Sequence, residues 1–129
     1  MEQLYVFCTG NAAVTWCYNT CFAVLTGDSY FVVDAGCGNG ILRILKDMDI
    51  SLDQIHHMFV THEHSDHILG VVWMIRMIAS RMIAGQYEGN FIIYCHDQLT
   101  ATIAAPCRLP HQPQRRRLLG DRISPRPVT

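Results

Sequence analysis

The chain has 129 residues, of which 50% are hydrophobic and 16% charged, and its formal net charge is −1. This length predicts one small domain with a buried core. The balanced charge gives no general case for binding to nucleic acid or to a membrane surface. The longest apolar stretch, 68–84, is interrupted by Arg76 and Arg81, so no membrane-spanning helix is predicted.

The charges are unevenly distributed along the chain. Residues 1–106 carry ten acidic and four basic residues (net −6), whereas 107–129 carry six arginines against Asp121 (net +5). All five prolines lie at or after position 106. We therefore predict a folded domain over 1–106 and a basic, proline- and arginine-rich tail over 107–129 that is disordered or encoded in a shifted reading frame. A functional tail whose arginines contact RNA phosphates is the alternative.

Six cysteines in so short a chain raise the question of a disulfide framework. The N-terminus lacks the features of a secretory signal. Four of the cysteines lie in or beside apolar runs, where a reduced cysteine acts as a small hydrophobic residue. We expect reduced thiols and a cytoplasmic location.

Three short segments rich in β-forming residues open the chain. They are Leu4–Cys8, Cys21–Leu25 and Tyr30–Val33, and Gly27-Asp28 between the last two suits a tight hairpin turn. This pattern predicts an antiparallel meander. Tyr30–Val33 is continuously apolar, as expected of a strand that is covered on both faces.

A glycine-rich turn and alternating helices and strands follow. Residues 34–40 contain three glycines in five positions, which favours a strand-to-helix turn over the alternative of phosphate binding, since the pattern is not GxGxxG. The segments after it are a helix over 41–48, a connector or single helical turn over 51–55, a strand over 56–61, a buried helix over 68–84, a strand over 91–95 and a helix over 96–105 that Pro106 stops. The order βββαβαβα predicts an α/β (α+β) domain with helices covering a sheet.

Four potential metal ligands, His62, His64, Asp66 and His67, lie within six residues where the strand over 56–61 leads into the long helix. Side chains alternate along an extended segment, so His62 and His64 point the same way and can bind one ion. Asp66 and His67 diverge from that pair at the corner and suit a second ion. Two ions about 3.5–4 Å apart can share a hydroxide and polarise the bond under attack. The mixed donors favour zinc, with manganese or iron as substitutes.

His62-x-His64-x-Asp66-His67 resembles the H-x-H-x-D-H signature of the metallo-β-lactamase superfamily. Phe7-x-Thr9-Gly10, Val33-Asp34-x-Gly36 and Thr61 before the motif also look like that superfamily. The opening meander, the D-x-G-x-G turn and an apolar helix that begins D-H-I-x-G are most similar to its ribonuclease Z and phosphodiesterase branch. The resemblance covers about residues 3–105.

The resemblance implies the N-terminal half of an αββα sandwich with a mostly antiparallel or mixed sheet. It implies that His62 and His64 bind the first metal, and that Asp66 and His67 bind the second. It further implies a catalytic, proton-transferring role for Asp66. Asp34 would orient the ligands from behind them, and a solvated turn residue is the alternative for Asp34.

The superfamily completes its site with a third histidine, a bridging carboxylate and a final histidine from its second half. His96 and His111 are the only histidines after His67. His96 lies too early to match the third ligand and is expected to be a surface or helix-capping residue. His111 lies in the atypical tail, and Asp97 and Asp121 have no motif support as the bridge.

Three functions therefore compete. The first is a metal-dependent hydrolase that attacks a small-molecule or RNA phosphodiester with a hydroxide held by two zinc ions. The second is a truncated, inactive remnant with a partial metal site. The third is a homodimer that completes the site between two copies. No membrane partner is expected.

Overall fold

The computed structural model describes residues 2–8, 21–36, 38–61, 65–107 and 121–128, with the backbone alone for Cys8 and 65–67. These ranges contain six strands and three α-helices. In chain order they are β1 (Glu2–Cys8), β2 (Cys21–Thr26), β3 (Ser29–Val33), α1 (Gly40–Asp47), β4 (Ile55–Phe59), α2 (Ser65–Ile83), β5 (Phe91–Cys95), α3 (Thr100–Cys107) and β6 (Ile123–Pro127). Two single 3₁₀ turns, Leu52–Gln54 and Asp97–Leu99, precede β4 and α3.

All six strands form one mixed sheet in the order β1-β2-β3-β4-β5-β6. The pairs β1–β2 and β2–β3 are antiparallel, which confirms the predicted meander. The next three pairs, β3–β4, β4–β5 and β5–β6, are parallel. A helix lies in each of the three crossovers between parallel neighbours, so the predicted α/β class with a mixed sheet is confirmed.

The three crossovers advance in one direction along the sheet. Since such crossovers are right-handed, α1, α2 and α3 all lie on the same face of the sheet. The side chains on that face form the core, with Ala23, Val32, Met58, Phe91 and Ile93 each 0% exposed. From the helices, Ile41, Met74, Ile75 and Ile103 join the same cluster. The core is therefore one layer between the helices and one side of the sheet.

The predicted long helix is α2, which begins three residues earlier than the sequence indicated. Met74 and Met82 are buried in the core, as expected of methionines that fill space. Met77 and Leu69 are instead exposed, at 36% and 49%. One side of the helix is therefore exposed to solvent, although the almost wholly apolar sequence predicted a buried helix.

Two observations differ from the sequence-based expectations near the C-terminus. Five residues assigned to the tail form β6, which pairs with the free edge of β5. Its prolines are tolerated because an edge strand can do without backbone donors on its outer side. The guanidinium of Arg122 donates to the carbonyls of Tyr87 and Gly89 at 2.7 and 3.1 Å and so anchors the start of β6. Helix α3 also includes Pro106 and ends one residue later at Cys107, so the proline lies in its last turn rather than after its end.

The other side of the sheet, which we call the outer face, carries two rows of paired residues. One row crosses all six strands as Val6, Phe22, Val33, Phe59, Tyr94 and Arg126. The second crosses them as Leu4, Val24, Phe31, His57, Ile92 and Ser124. The sequence predicted that β3 is covered on both faces, yet Phe31 is 37% exposed and none of the described helices lies over it.

Helix α2 contacts the turn after β3 through a glycine. The backbone N–H of Gly70 donates to the carbonyl of Gly36 at 2.8 Å. A Cβ atom at position 70 would lie 2.1 Å from the carbonyl oxygen of Ala35 and 2.6 Å from that of Gly36. Only glycine at position 70 permits this approach, because any side chain would force the backbone of α2 or of the turn to move.

We expect Gly70→Ala to destabilise the fold by about 3 kcal/mol or more, because the added methyl group meets fixed backbone rather than a flexible side chain. Gly38→Ala is the matched control, since a Cβ atom there meets no heavy atom within 4 Å. Urea denaturation followed by circular dichroism measures both. Equal stability of the two variants would contradict the close approach of α2 to the turn.

Candidate metal centre

The structure brings three backbone segments together at the C-terminal ends of β3 and β4. The segments are the turn over 34–36 after β3, the end of β4 through Val60 and Thr61, and the first turns of α2. The backbone N–H of Val60 also donates to the carbonyl of Tyr94 at 2.9 Å, which extends the β4–β5 ladder past the end of β4. Polar side chains that follow parallel strands meet at this edge of a sheet.

The predicted ligands lie at this junction in the sequence. His62, Glu63 and His64 fall outside the described residues, between Thr61 and the first residue of α2. Asp66 and His67 lie in the first turn of α2, and their side chains are likewise outside the description. The convergence of these four residues on a metal ion therefore stays a prediction, and the described residues show how both flanks of the motif are held.

Asp34 is the central polar residue of the junction. Its carboxylate accepts the backbone N–H of Thr61 at 2.9 Å with Oδ1 and the hydroxyl of Thr61 at 2.7 Å with Oδ2. Its own backbone N–H donates to the carbonyl of Phe59 at 2.9 Å. Three hydrogen bonds thus fasten the end of β3 to the end of β4, directly before His62.

Asp34 is also buried and conformationally unusual. It is 4% exposed, so the alternative of a solvated turn residue does not describe it. Its φ of 59° lies in the left-handed region, where aspartate and asparagine are enriched among non-glycine residues. Burying a carboxylate is costly unless its oxygens accept hydrogen bonds. Thr61 supplies one such bond to each oxygen.

The same turn holds both sides of the motif. Asp34 binds Thr61, which precedes His62, and Gly36 accepts the N–H of Gly70, which follows His67 by three positions. The segment 62–69 is therefore attached at both ends to residues that are only two positions apart.

Cys21 lies near Asp34 and is an unsuitable ligand or nucleophile. Burial raises the pKa of its thiol to about 12, and the negative charge of Asp34 acts in the same direction. Metal binding and nucleophilic attack both need the thiolate. Cys21, Cys95 and Cys107, the cysteines whose side chains are described, are all free thiols, in agreement with the expectation of reduced cysteines.

The downstream candidates are not assembled into a site within the described part of the chain. His96 caps the 3₁₀ turn, where its Nδ1 accepts the N–H of Gln98 at 3.2 Å, and its side chain is 60% exposed beside Asp97. This agrees with the expected helix-capping role. His111 lies outside the description. Among the described residues, no three His, Cys, Asp or Glu side chains are grouped to hold a metal ion.

Sequence reasoning missed one feature near this junction, a stack of rings on the outer face. The rings of Phe31, His57 and Tyr94 lie 5.8–6.4 Å apart between centroids with interplanar angles of 18–23°. A bulge at His56 places Ile55 and His57 opposite the consecutive residues Tyr30 and Phe31. A bulge leaves no periodic signal in the sequence of a single strand. The alternation of side chains along β4 therefore could not predict which face of the sheet His57 lies on.

No described helix is long and apolar enough to cross a membrane.

The fold is shared with solved metallo-β-lactamase-fold structures. The chain aligns over 99% of its length with 47% of YhfI from Bacillus subtilis, a metallo-β-lactamase fold protein, with a TM-score of 0.71 and 19% identity. It aligns over 84% of its length with 39% of the short form of human tRNase Z, with a TM-score of 0.66 and 21% identity. A diphosphatase of the PhnP family aligns over 52% of its own length with a TM-score of 0.63 and 12% identity.

Sequence comparison found one curated relative and one family. A stretch of 50 residues, 39% of this chain, is 38% identical to ribonuclease Z of Methanocaldococcus jannaschii and spans 15% of that protein. The chain thus spans about half the length of its structural relatives, or less, and a small part of this curated relative. Residues 2–104 match the sequence family described as "Anti-Pycsar protein Apyc1". The predicted metallo-β-lactamase fold is therefore confirmed, and within it the chain belongs to the Anti-Pycsar protein Apyc1 family.

Proposed function

We propose that this chain carries the metal-binding half of a hydrolase that cleaves phosphodiesters. The observation that carries the proposal is the double hydrogen bond from Thr61 to the buried Asp34 carboxylate. A buried carboxylate in a left-handed turn is a costly arrangement, and here it holds the residue that immediately precedes H-x-H-x-D-H. Similarity to ribonuclease Z and to a PhnP-family diphosphatase supports a phosphate-containing substrate.

The donor set fits zinc chemically. Three imidazoles and one carboxylate supply the nitrogen and oxygen ligands that zinc takes, and manganese or iron accept the same donors. His62 and His64 would hold one ion, and Asp66 and His67 a second. When bound, such ions activate water and neutralise charge on the phosphodiester. The remaining positions of the pair would be filled by groups beyond these four.

The residues of this chain would divide the other tasks. Asp66 would accept and return a proton during attack on the phosphodiester, at a carboxylate oxygen. Asp34 would act on metal affinity indirectly, because it fixes Thr61 and so the direction in which His62 leaves β4. This orientation matters, because removal of a group that orients metal ligands typically lowers metal affinity about tenfold to a hundredfold.

The second candidate, a remnant with a partial site, is favoured by one observation. The chain covers only 47% of YhfI and 39% of the short human tRNase Z. If the missing ligands reside in the part of those proteins that this chain does not align with, four donors alone would hold metal weakly and catalyse nothing.

Cytoplasmic location and an RNA substrate remain part of the first proposal.

Metal content and turnover separate the two functions. We expect the enzyme to bind close to two zinc ions per chain, measured by inductively coupled plasma mass spectrometry, and to hydrolyse bis(p-nitrophenyl) phosphate. His64→Ala should abolish turnover and lower zinc content, because it removes one of two imidazoles from the first ion. His96→Ala, at an exposed capping histidine, should change neither. Less than one ion per chain without turnover would identify the remnant.

The role of Asp34 is testable against a matched residue. Asp34 and Asp49 both adopt left-handed backbone, with φ of 59° and 57°, but Asp49 is exposed. We expect Asp34→Ala to cost about 2–4 kcal/mol of stability and to weaken zinc binding tenfold or more, since Thr61 loses both acceptors. Asp49→Ala should show only the backbone cost of about 1 kcal/mol and unchanged zinc affinity by isothermal titration. Equal effects of the two substitutions would remove Asp34 from the site.

A further inference from the structure

A groove on the helical side of the molecule lies between α1, the 3₁₀ turn before β4 and the C-terminal half of α2. Its volume is about 440 Å³, within the range of about 300–1,000 Å³ that small-molecule sites occupy. In an αββα sandwich the helices form the outer layers, so a second sheet does not cover this groove. Its apolar lining consists of Leu42, Leu45, Ile50, Leu52 and Met77.

Two cations, Lys46 and Arg81, flank the apolar lining. Lys46 is exposed in the last turn of α1, and the half-buried Arg81 lies in the last turn of α2. Within the described part of the chain, neither side chain forms an ion pair. Ser51 also lines the groove, but its hydroxyl donates to the carboxylate of Asp53. Both charged side chains that line the groove are therefore positive.

The basic residues of the folded domain are concentrated on these two helices. Residues 1–106 carry four of them against ten acidic residues, and all four lie on α1 or α2. Arg43 pairs with Asp47 at 3.9 Å, and the guanidinium of Arg76 lies 5.3 Å from the centroid of the Trp73 ring. The two cations of the groove are the two that lack such a contact among the described residues.

Stabilisation of the helices does not by itself account for this arrangement. A cation in the last turn of a helix stabilises the helix dipole, and Lys46 and Arg81 both have that position. The role does not require the two side chains to line one groove with an apolar floor. An apolar lining with a small number of charged groups is instead the usual composition of a small-molecule site. The lining fits a hydrocarbon chain, and the two cations fit an anionic head group.

The composition of the groove favours a small amphiphile over a macromolecule. Nucleic acid is bound by cations that follow successive phosphates, whereas this groove has two cations and an apolar centre. A second copy of the chain in a two-fold contact would bring the same positive groups against each other. A single hydrocarbon chain with one carboxylate matches both the apolar area and the sign of the charge.

We propose that the groove between α1 and α2 binds a long-chain carboxylate. The chain would lie on the apolar lining, and the carboxylate would be attracted by Lys46 and Arg81. Met77 lies ten positions after His67, which is about 15 Å further along α2. The site is therefore separate from the predicted metal ligands, and the proposal is independent of the hydrolase function.

Isothermal titration of the full chain with dodecanoate, kept below the concentration at which it forms micelles, tests the proposal. We expect one site per chain with a Kd of about 1 mM or tighter, the value typical of a ligand of this size. Dodecyltrimethylammonium has the same chain and a positive head group, so it should bind about tenfold more weakly. Acetate lacks the chain and should not bind measurably. Equal affinity for the two amphiphiles would overturn the proposal, as would no binding of dodecanoate.

A pair of matched double variants tests the cations. Lys46→Glu combined with Arg81→Glu should weaken dodecanoate binding about tenfold and strengthen binding of dodecyltrimethylammonium. Arg43→Glu combined with Arg76→Glu makes the same change in net charge on the same two helices, but neither residue lines the groove. This control should change the Kd less than twofold. Equal effects of the two double variants would mean that net charge, rather than the groove, decides binding.

Methyl NMR of the wild-type chain covers the case in which a double variant fails to fold. With methyl-labelled methionine, the resonance of Met77, which is 36% exposed, should shift saturably with dodecanoate, whereas that of Met74, which is 0% exposed, should not. A shift that leaves Met77 unaffected would contradict the proposed site. Binding to phosphatidylglycerol vesicles without binding of dodecanoate would overturn it and assign the two cations to a membrane surface.

Discussion

The fold and the candidate site both depend on how the turn after β3 is held. Asp34 places a carboxylate in a buried, left-handed corner, where Thr61 stabilises it by donating a hydrogen bond to each of its oxygens. Two positions later, Gly36 accepts the N–H of Gly70. One short turn therefore sets the distance between the end of β4 and the start of α2.

This arrangement holds the described residues on both sides of the predicted ligand motif, Thr61 before it and Gly70 after it. Flanks that are held before an ion binds lose little further entropy on binding, which favours binding. The glycine at position 70 contributes by allowing backbone to approach backbone, and Asp34 contributes by hydrogen bonding. The two contacts lie at opposite ends of the motif, so substitution of Asp34 affects the flank of His62 and His64, and substitution of Gly70 affects the flank of Asp66 and His67.

The sheet is asymmetric for a reason that follows from its connections. Three successive right-handed crossovers place every described helix on one side, and the core forms there. The outer face keeps aromatic and aliphatic side chains that a solvated antiparallel sheet would replace with polar ones. The structural relatives are about twice as long as this chain, so the same sheet in those proteins belongs to a larger body.

The sequence by itself determined much of the architecture and the kind of chemistry. Apolar segments placed β1 to β5 within a few residues, and the cluster of His62, His64, Asp66 and His67 indicated the metallo-β-lactamase fold that the structural comparison confirms. These features are local, because strand formation and the H-x-H-x-D-H spacing are properties of neighbouring residues. The motif around Asp34 also indicated a supporting role for this residue, but it did not indicate that the carboxylate is buried.

Tertiary structure alone decided the rest, because the deciding contacts join residues far apart in the chain. Strand β6 contains two prolines and is held by its pairing with the edge of β5 and by the hydrogen bonds from Arg122 to the carbonyls of Tyr87 and Gly89. The constraint on Gly70 comes from the backbone of Ala35 and Gly36, 35 and 34 positions earlier. The exposure of Phe31 depends on which side of the sheet the helices cover. No periodicity in a single segment encodes these relations, since they depend on which surfaces folding brings together.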